Sequence, residues 1–328
     1  MTAADGLGLS DILAARRRIA GRVRRTPLVL SASLSDRAAT PVHLKLEHHQ
    51  ITGSFKLRGA TNAVLALPAN RRDRGVVGVS TGNHGRGLAH AARQAGVRCV
   101  ICMSSLVPRN KVAGIEALGA EVRIVGRSQD EAQEEVDRLV SEEGLTMLPP
   151  FDHADIISGQ GTLGLELMEQ LPETMSVLVP LSGGGLISGV ALAVKTINPR
   201  ARVIGVSMAR GAAMYESQKA GKPVPVEELE TLADSLGGGV GLDNRYTFRL
   251  VRDLVDDIVL LSEEEIADGI RHAYWQEQEV IEGSGAVGIG ALLAGKAAVE
   301  GPAVVLLTGR NIDMELHRRL VSGGAAGR

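Results

Sequence analysis

Short apolar segments alternate with longer amphipathic segments along nearly all of this 328-residue chain, and that alternation restricts the possible folds more than any other feature. Near-continuous apolar runs such as VVGVS (76–80) and VVLLT (304–308) are typical of strands buried on both faces of a sheet. The pattern predicts eight strands, over 42–47, 76–80, 98–103, 121–125, 176–180, 203–207, 257–261 and 303–307. It predicts helices over 11–23, 55–67, 85–95, 108–118, 129–141, 155–170, 185–196 and 262–275. The sequence therefore predicts an α/β fold in which helices cover both faces of parallel sheets.

Charge and composition exclude several classes of partner. Lys and Arg total 36 and Asp and Glu total 38, so the net charge is −2, and aromatic residues make up only 2% of the chain. Nucleic-acid-binding proteins need an excess of positive charge or aromatic stacking surfaces, so we expect no nucleic-acid partner. No apolar run approaches the roughly 18 residues of a membrane span. The N-terminal segment places its basic cluster after its apolar residues, the reverse of a secretory signal, so we expect a cytoplasmic protein without a membrane partner.

The two cysteines, Cys99 and Cys102, have the spacing of a redox or zinc motif. They lie in the apolar segment VRCVICM, which is predicted to be a buried strand. Residues three apart in a strand face opposite sides of the sheet. We therefore expect the two sulfurs to point apart and to pack in the core.

A glycine-rich loop, 182–186 (SGGGL), follows one predicted strand and precedes a helix of small residues. Consecutive glycines let backbone N–H groups converge on one anion, and the positive end of the helix favours that anion. The loop lacks the Walker and G-x-G-x-x-G patterns, so a compact phosphate site fits better than a nucleotide site. The alternative is a tight turn in which glycine allows close packing of helix on sheet.

Two further segments carry candidate chemistry. The loop 80–85 (STGNHG) places hydroxyls, an amide and an imidazole at a helix start, which suits a small carboxylate or, alternatively, a simple helix cap. Lys56 lies beside a helix start in an apolar setting, where burial and the positive helix end lower the pKa of an amine. Covalent chemistry with a carbonyl compound requires a neutral amine. The alternative interpretation is that Lys56 is a surface lysine whose side chain packs along its helix. Together the three segments supply what pyridoxal phosphate needs to act on an amino acid.

With these segments in this order, the chain resembles the fold-type II pyridoxal-phosphate enzymes of the serine/threonine dehydratase family. The resemblance extends from about residue 12 to residue 313. It rests on the segments Ser54–Ala60, Ser80–His84, Gly159–Thr162, Ser182–Leu186 and Glu282–Ala286, and on Thr308 at the end of the last strand. Within the family, KLEHHQITGSFKLRGATNAV and LLTGRNIDM look most like the hydroxyectoine-utilisation dehydratases.

The resemblance implies a role for each matched residue. It assigns cofactor binding to Phe55, Lys56, Asn83, Gly183, Gly184, Gly185, Leu186, Glu282 and Thr308. It assigns the substrate carboxylate to Ser80, Thr81, Gly82 and His84. Lys56 would hold pyridoxal 5'-phosphate through its amine and later remove the α-proton, and Thr308 would offer a neutral hydroxyl to the ring nitrogen. Thr81 is the second candidate catalytic residue, because a hydroxyl opposite the lysine keeps racemisation possible.

The resemblance also implies a tryptophan synthase β-like architecture of two doubly wound parallel-sheet domains. Pro149 and Pro150 interrupt the alternating pattern and mark a crossing between domains. We expect residues 1–52 and 151–328 to form the large cofactor-binding domain and residues 53–150 the small substrate-side domain. A homodimer is expected from the resemblance alone.

Three departures from the family pattern matter. Ser207 and Ala213 stand where many relatives have the carboxylates of a divalent-cation site, so no metal is expected there. The family's A-D-G element reads Ala233–Ser235, which alters the wall near the cofactor. Thr81 stands where dehydratases of the family often have Ala and racemases Ser. Apart from these departures, His48 and His49 lack a spaced set of acidic partners and are interpreted as loop residues.

These features predict an ammonia-lyase that removes water and ammonia from a β-hydroxy amino acid, similar to threonine or serine, and yields a 2-oxo acid. The alternatives are a racemase or a β-replacement enzyme of the same fold, and a binding protein that keeps the fold without turnover. Leu57, Arg58 and Gly59 follow the lysine where β-replacement enzymes usually have Asp-Arg, which favours elimination.

Overall fold

The computed structural model describes residues 6–80, 82–107 and 109–323, except for the side chains of Asn110, Gln129 and Asp130. Thr81, which the sequence assigns to catalysis and to the substrate carboxylate, lies outside the described residues. Within the described part of the chain, no helix combines the length and the apolar character needed to span a membrane.

Six strands form the larger sheet. From edge to edge they are β1 (Leu28–Ser31), β2 (Val42–Lys45), β10 (Ala303–Leu306), β7 (Ser176–Pro180), β8 (Arg202–Met208) and β9 (Asp257–Leu261). All neighbours pair in parallel except β1, which runs antiparallel to β2. The carboxyl ends of the parallel strands therefore share one edge, where ligand-binding loops of open α/β sheets lie.

Four parallel strands form the smaller sheet. In spatial order they are β5 (Glu121–Ile124), β4 (Cys99–Met103), β3 (Val76–Val79) and β6 (Thr146–Met147). The chain leaves the larger sheet after β2, builds the smaller sheet and returns with β7. The division into domains at residues 52–53 and 150–151 stays a prediction.

Helices connect the strands and cover the sheets. They are α1 (Leu9–Ile19), α2 (Ala32–Ala38), α3 (Lys56–Ala66), α4 (Ala69–Arg72), α5 (Asn83–Ala95), α6 (Arg109–Glu116), α7 (Gln129–Glu142), α8 (Ala154–Gln170), α9 (Gly185–Ile197), α10 (Ala213–Ala220), α11 (Thr247–Leu254), α12 (Glu263–Trp275), α13 (Gly283–Leu293) and α14 (Met314–Gly323). Two short 3₁₀ helices span Glu47–His49 and Asp234–Leu236.

Each sheet separates two hydrophobic cores. In β7, Val177 and Val179 pack in one core and Leu178 in the core on the opposite face. In β4, Cys99 and Cys102 are buried in different cores, as the strand geometry predicted, and both thiols are free. Burial raises the pKa of Cys99 to about 12, so this thiol stays protonated and packs as an apolar group.

The α/β prediction and all eight predicted strands are confirmed. The sequence missed two strands that lack the apolar pattern: β1 is short and half-exposed, and β6 has only two residues. It also missed α13, whose sequence GSGAVGIGALL contains four glycines. A Cβ on Gly290 would lie 2.5 Å from the Glu265 carbonyl oxygen, and one on Gly269 would lie 2.6 Å from that of Ala286. The glycines therefore allow α12 and α13 to pack backbone to backbone.

Candidate active site

All nine residues predicted to bind the cofactor line one cavity at the carboxyl ends of β7 and β10. They are Phe55, Lys56, Asn83, Gly183, Gly184, Gly185, Leu186, Glu282 and Thr308. The cavity is completed by residues that the sequence did not assign, among them Phe151, Ser235 and Ser284. The fold thus brings the nine predicted residues together from five distant segments of the chain.

Lys56 begins α3, and the backbone before it is tied to the end of β10. The N–H of Phe55 donates to the Thr308 carbonyl oxygen over 3.1 Å, and Ser54 pairs with Gly309 in an isolated antiparallel bridge. The lysine and the hydroxyl expected at the ring nitrogen are therefore joined through backbone hydrogen bonds.

The Lys56 amine is available for chemistry near neutral pH. Its Nζ donates to the Pro150 carbonyl oxygen over 2.8 Å and lies 5.5 Å from the centre of the Phe55 ring. Burial lowers the pKa of Lys56 to about 8, although the negative charge of Glu282 opposes this shift. A neutral amine is consequently far more populated here than on an exposed lysine.

The loop before α9 has the shape of an anion cradle. Gly184 has a φ of 90°, in the left-handed region that favours glycine. A Cβ on Gly183 would lie 2.6 Å from the Phe151 ring, and one on Gly185 would lie 2.8 Å from the Phe151 backbone. The loop therefore presents backbone without side chains, and the first N–H groups of α9 have no partner within the helix. These groups and the positive helix end suit a phosphate.

Asn83 and Glu282 form a polar network beside the lysine. Asn83 Nδ2 donates to Glu282 Oε1 over 2.7 Å, and the N–H of Asn311 donates to Glu282 Oε2 over 3.2 Å. Asn311 Nδ2 in turn donates to Asn83 Oδ1 over 2.6 Å. Burial, with a smaller contribution from the charge of Asp234, raises the pKa of Glu282 to about 7, and the two asparagine hydrogen bonds oppose the shift.

Sequence reasoning also missed Asn311, which contacts Asn83 beside the cavity, and it assigned no role to Ser284. Asn311 lies in the same glycine-rich loop as Thr308, from which only the threonine was selected. Ser284 lines the cavity, and its buried Oγ has no hydrogen-bond partner among the described residues. A buried hydroxyl without a partner is costly, so Ser284 offers a free hydrogen-bonding group to a polar ligand in the cavity.

Of the residues predicted to bind the substrate carboxylate, the three that the structure describes, Ser80, Gly82 and His84, do not line this cavity. Ser80 Oγ accepts hydrogen bonds from the N–H groups of Gly85 over 3.0 Å and Gly82 over 3.3 Å. These contacts agree with the alternative interpretation of this loop as a helix cap. His84 is buried, and its Nε2 lies 2.8 Å from the Leu148 carbonyl oxygen. Burial and the charge of Lys56 lower the pKa of His84 to about 3, so it is neutral and donates to Leu148.

The structure shows the contacts of two further sets of residues discussed in the sequence analysis. Ser207 Oγ lies 3.4 Å from Met208 Sδ, and neither Ser207 nor Ala213 carries a carboxylate. The interpretation of His48 and His49 as histidines without an acidic partner is wrong. Both hydrogen-bond Glu279, which the sequence separates from them by more than two hundred positions.

Comparison with known proteins gives matches over nearly the whole chain. A family model described as "Pyridoxal-phosphate dependent enzyme" matches residues 19–309. A Sinorhizobium fredii protein named "Putative threonine dehydratase" is 59% identical over 324 residues, which cover 98% of both chains. An "L-threonine ammonia-lyase" of Thermotoga maritima is 42% identical over 317 residues, 96% of this chain and 78% of that relative. The structure of maize serine racemase superposes with a TM-score of 0.91 at 33% identity and covers 99% of both chains.

These matches agree with the site. The family match includes Lys56, the glycine cradle and Thr308, and the similarity to a solved pyridoxal-phosphate enzyme confirms the fold-type II architecture. The sequence relatives support an enzyme of the threonine dehydratase type, a carbon–nitrogen lyase, with pyridoxal phosphate as its cofactor. The chain belongs to the pyridoxal-phosphate-dependent enzyme family.

Proposed function

We propose that the protein eliminates water from a β-hydroxy amino acid and that hydrolysis of the resulting enamine releases ammonia and a 2-oxo acid. The observation that carries this proposal is the shared cavity of the Lys56 amine, the glycine cradle and the Thr308 hydroxyl. When bound, pyridoxal phosphate supplies an electron-withdrawing ring that acidifies the α-proton of an amino acid.

The residues that line the cavity have different proposed roles in the reaction. The cradle of Gly183, Gly184 and Gly185 holds the phosphate through backbone N–H groups and so fixes the ring beside Lys56. Lys56, once its amine is free and neutral, takes the α-proton. Thr308 offers a neutral hydroxyl to the ring nitrogen and adds no charge there. A weak electron sink favours prompt loss of a β-hydroxyl over longer-lived chemistry at the α-carbon.

The substrate is proposed to be similar to threonine or serine, with an amino acid from hydroxyectoine breakdown as the narrower candidate. The narrower candidate is supported by the resemblance of the segments around Lys56 and Thr308 to the hydroxyectoine-utilisation dehydratases. Ser80, Thr81, Gly82 and His84 are proposed to bind the substrate carboxylate, and that role requires the loop to exchange its capping hydrogen bonds for the ligand.

Ammonia release by the purified holoenzyme tests this function. The substrates are L-serine, L-threonine, both 3-hydroxyaspartates and the amino acids derived from hydroxyectoine. Rapid release from one of them supports the lyase and names its substrate. Inversion of recovered substrate without ammonia, or a new product only when a thiol acceptor is added, replaces the proposal with racemisation or β-replacement.

The pH dependence of cofactor capture tests the role of Lys56. We expect the rate at which apoenzyme binds pyridoxal phosphate to rise with pH and to level off above about 8, the pKa of Lys56. Only the neutral amine attacks a carbonyl carbon, which explains the direction. Glu282→Gln removes the carboxylate that raises this pKa, so its profile should level off at a lower pH. Stopped-flow absorbance measures both profiles, and a superimposable pair would contradict the assigned electrostatics.

We also propose that the protein is a homodimer, on the basis of the family resemblance. Light scattering after size-exclusion chromatography measures the molar mass, and a mass of one chain would overturn the dimer.

A further inference from the structure

Outside the cofactor cavity, His48, His49 and Glu279 bring three metal-binding atoms together. Glu279 Oε2 lies 2.8 Å from His48 Nε2 and 2.9 Å from His49 Nε2. The three ligand atoms lie within 4.8 Å of one another, and no other group of this kind occurs in the described part of the chain. We propose that these side chains bind a zinc ion.

The contacts of His48 place its Nε2 and the Glu279 carboxylate around one position that a cation can occupy. His48 Nδ1 lies 3.4 Å from the Leu307 carbonyl oxygen, and its Nε2 faces Glu279, so both ring nitrogens face acceptors. A neutral imidazole has one N–H only. If Nδ1 donates to Leu307, the lone pair of Nε2 meets the lone pairs of Glu279. A metal ion at that point turns both lone pairs into ligands.

The same contact gives the ring the usual support of a metal-binding histidine. Such histidines commonly donate their second ring N–H to a backbone carbonyl, which fixes the tautomer and the ring orientation. Leu307 is itself held, because its carbonyl oxygen accepts the backbone N–H of His48 over 2.9 Å. The His48 ring is thus oriented by β10 before any ion arrives.

The ligand set selects the kind of ion. Two imidazoles and one carboxylate suit zinc, whereas magnesium and calcium prefer oxygen ligands throughout. A tetrahedral zinc ion at about 2.0–2.1 Å from each ligand separates neighbouring ligand atoms by about 3.3 Å. The two nitrogen–oxygen distances must therefore widen slightly. The side chains of His49 and Glu279 have room to move, since they are 37% and 20% exposed, and solvent water can take the fourth position.

The position of the cluster gives the ion a structural role beside the active site. His48 and His49 belong to the 3₁₀ helix that precedes the lysine segment, and Glu279 lies three residues before Glu282. Leu307 immediately precedes Thr308. An ion here fastens the segment leading to Lys56 to the segment leading to Glu282, without entering the cofactor cavity.

Metal content and zinc titration of untagged holoenzyme test the site. The protein is stripped with a chelator, dialysed and titrated with Zn²⁺, and Co²⁺ serves as a visible-absorption probe of the ligand set. We expect one Zn²⁺ per chain in the wild type. In His49→Ala and Glu279→Gln we expect binding to weaken by at least about 10-fold, because even the loss of a supporting partner costs about 10–100-fold.

His90→Ala is the matched control, because His90 is a partly buried histidine on α5 outside the cluster. Circular dichroism and cofactor absorbance verify that each variant is folded and loaded. Zinc-edge anomalous density between the three side chains would independently support the site. A wild type without stoichiometric zinc, or two cluster variants that bind zinc as tightly as His90→Ala, overturns it. Neither outcome depends on the substrate of the enzyme.

Discussion

Lys56→Ala is expected to lose ammonia release while remaining folded. Among the described residues that line the cofactor cavity, Lys56 alone carries an amine, so the variant should lose both the proposed link to the cofactor and the base that takes the α-proton. Loss of a positioned general base alone costs about 10²–10⁴-fold in rate, so at least that loss is expected. Steady-state ammonia release and the visible spectrum of the purified variant measure the two effects.

A surface lysine provides the control for this prediction. Lys296→Ala removes an amine that pairs with Glu265 at the protein surface and should leave turnover unchanged. A small primary amine added to Lys56→Ala should restore part of the rate, because it replaces the missing base. If Lys56→Ala retained wild-type turnover, the proposed chemistry would be wrong, whichever substrate was used.

Arg58→Ala is expected to destabilise the fold by about 3–5 kcal/mol, the usual cost of removing one partner from a buried ion pair. Arg58 is fully buried and donates to both carboxylate oxygens of Glu47, over 2.8 and 2.7 Å. It also lies 3.0 Å from Glu166, which pairs with buried Lys45. The network therefore holds two cations and two anions, and the substitution leaves a surplus negative charge away from water.

The pH dependence of this effect follows from Glu47. Burial favours a raised pKa for Glu47, but Arg58, together with smaller contributions from Thr26 and Lys45, outweighs burial and lowers the pKa. A lowered pKa stabilises the fold above the unfolded-state value of the carboxyl, and this stabilisation is lost as the pH falls through the folded-state value. Without Arg58 the pKa of Glu47 rises, so the difference in unfolding free energy between the two proteins should shrink in acid.

Urea unfolding at several pH values measures the effect of Arg58→Ala. Arg98→Ala is the comparison variant, since its guanidinium pairs with Glu121 and Glu143 at the surface, where such pairs contribute at most about 1 kcal/mol. If the two variants lost the same free energy of unfolding, the buried network would stabilise the fold no more than a surface ion pair does.

The fold was predictable because its signal is local and repeated. Most of the parallel strands are short apolar runs, and a helical pattern follows most of them within a few residues, so the α/β class and eight strands could be predicted. The failures had physical causes. The segment that forms α13 is as rich in glycine as a loop. Its glycines are explained only by the close packing of its backbone against α12, which the sequence does not show.

The site was predictable where a motif is continuous in sequence. Each of the short segments that contain Lys56, Asn83 and residues 183–185 suggests a chemical role by itself. The fold brings these segments together around one cavity. The contacts of Asn311 with Asn83 and of Glu279 with His48 join distant segments. Such pairs have no spacing rule, so one sequence without its fold could not reveal them.

The backbone link between Phe55 and Thr308 has a mechanical consequence. It ties the residue before Lys56 to the end of β10, while the following turns of α3 pack through Ala60, Ala63 and Val64 against the helix that begins at Asn83. Helix α3 is therefore attached to both sheets, and Lys56 lies between the two attachments.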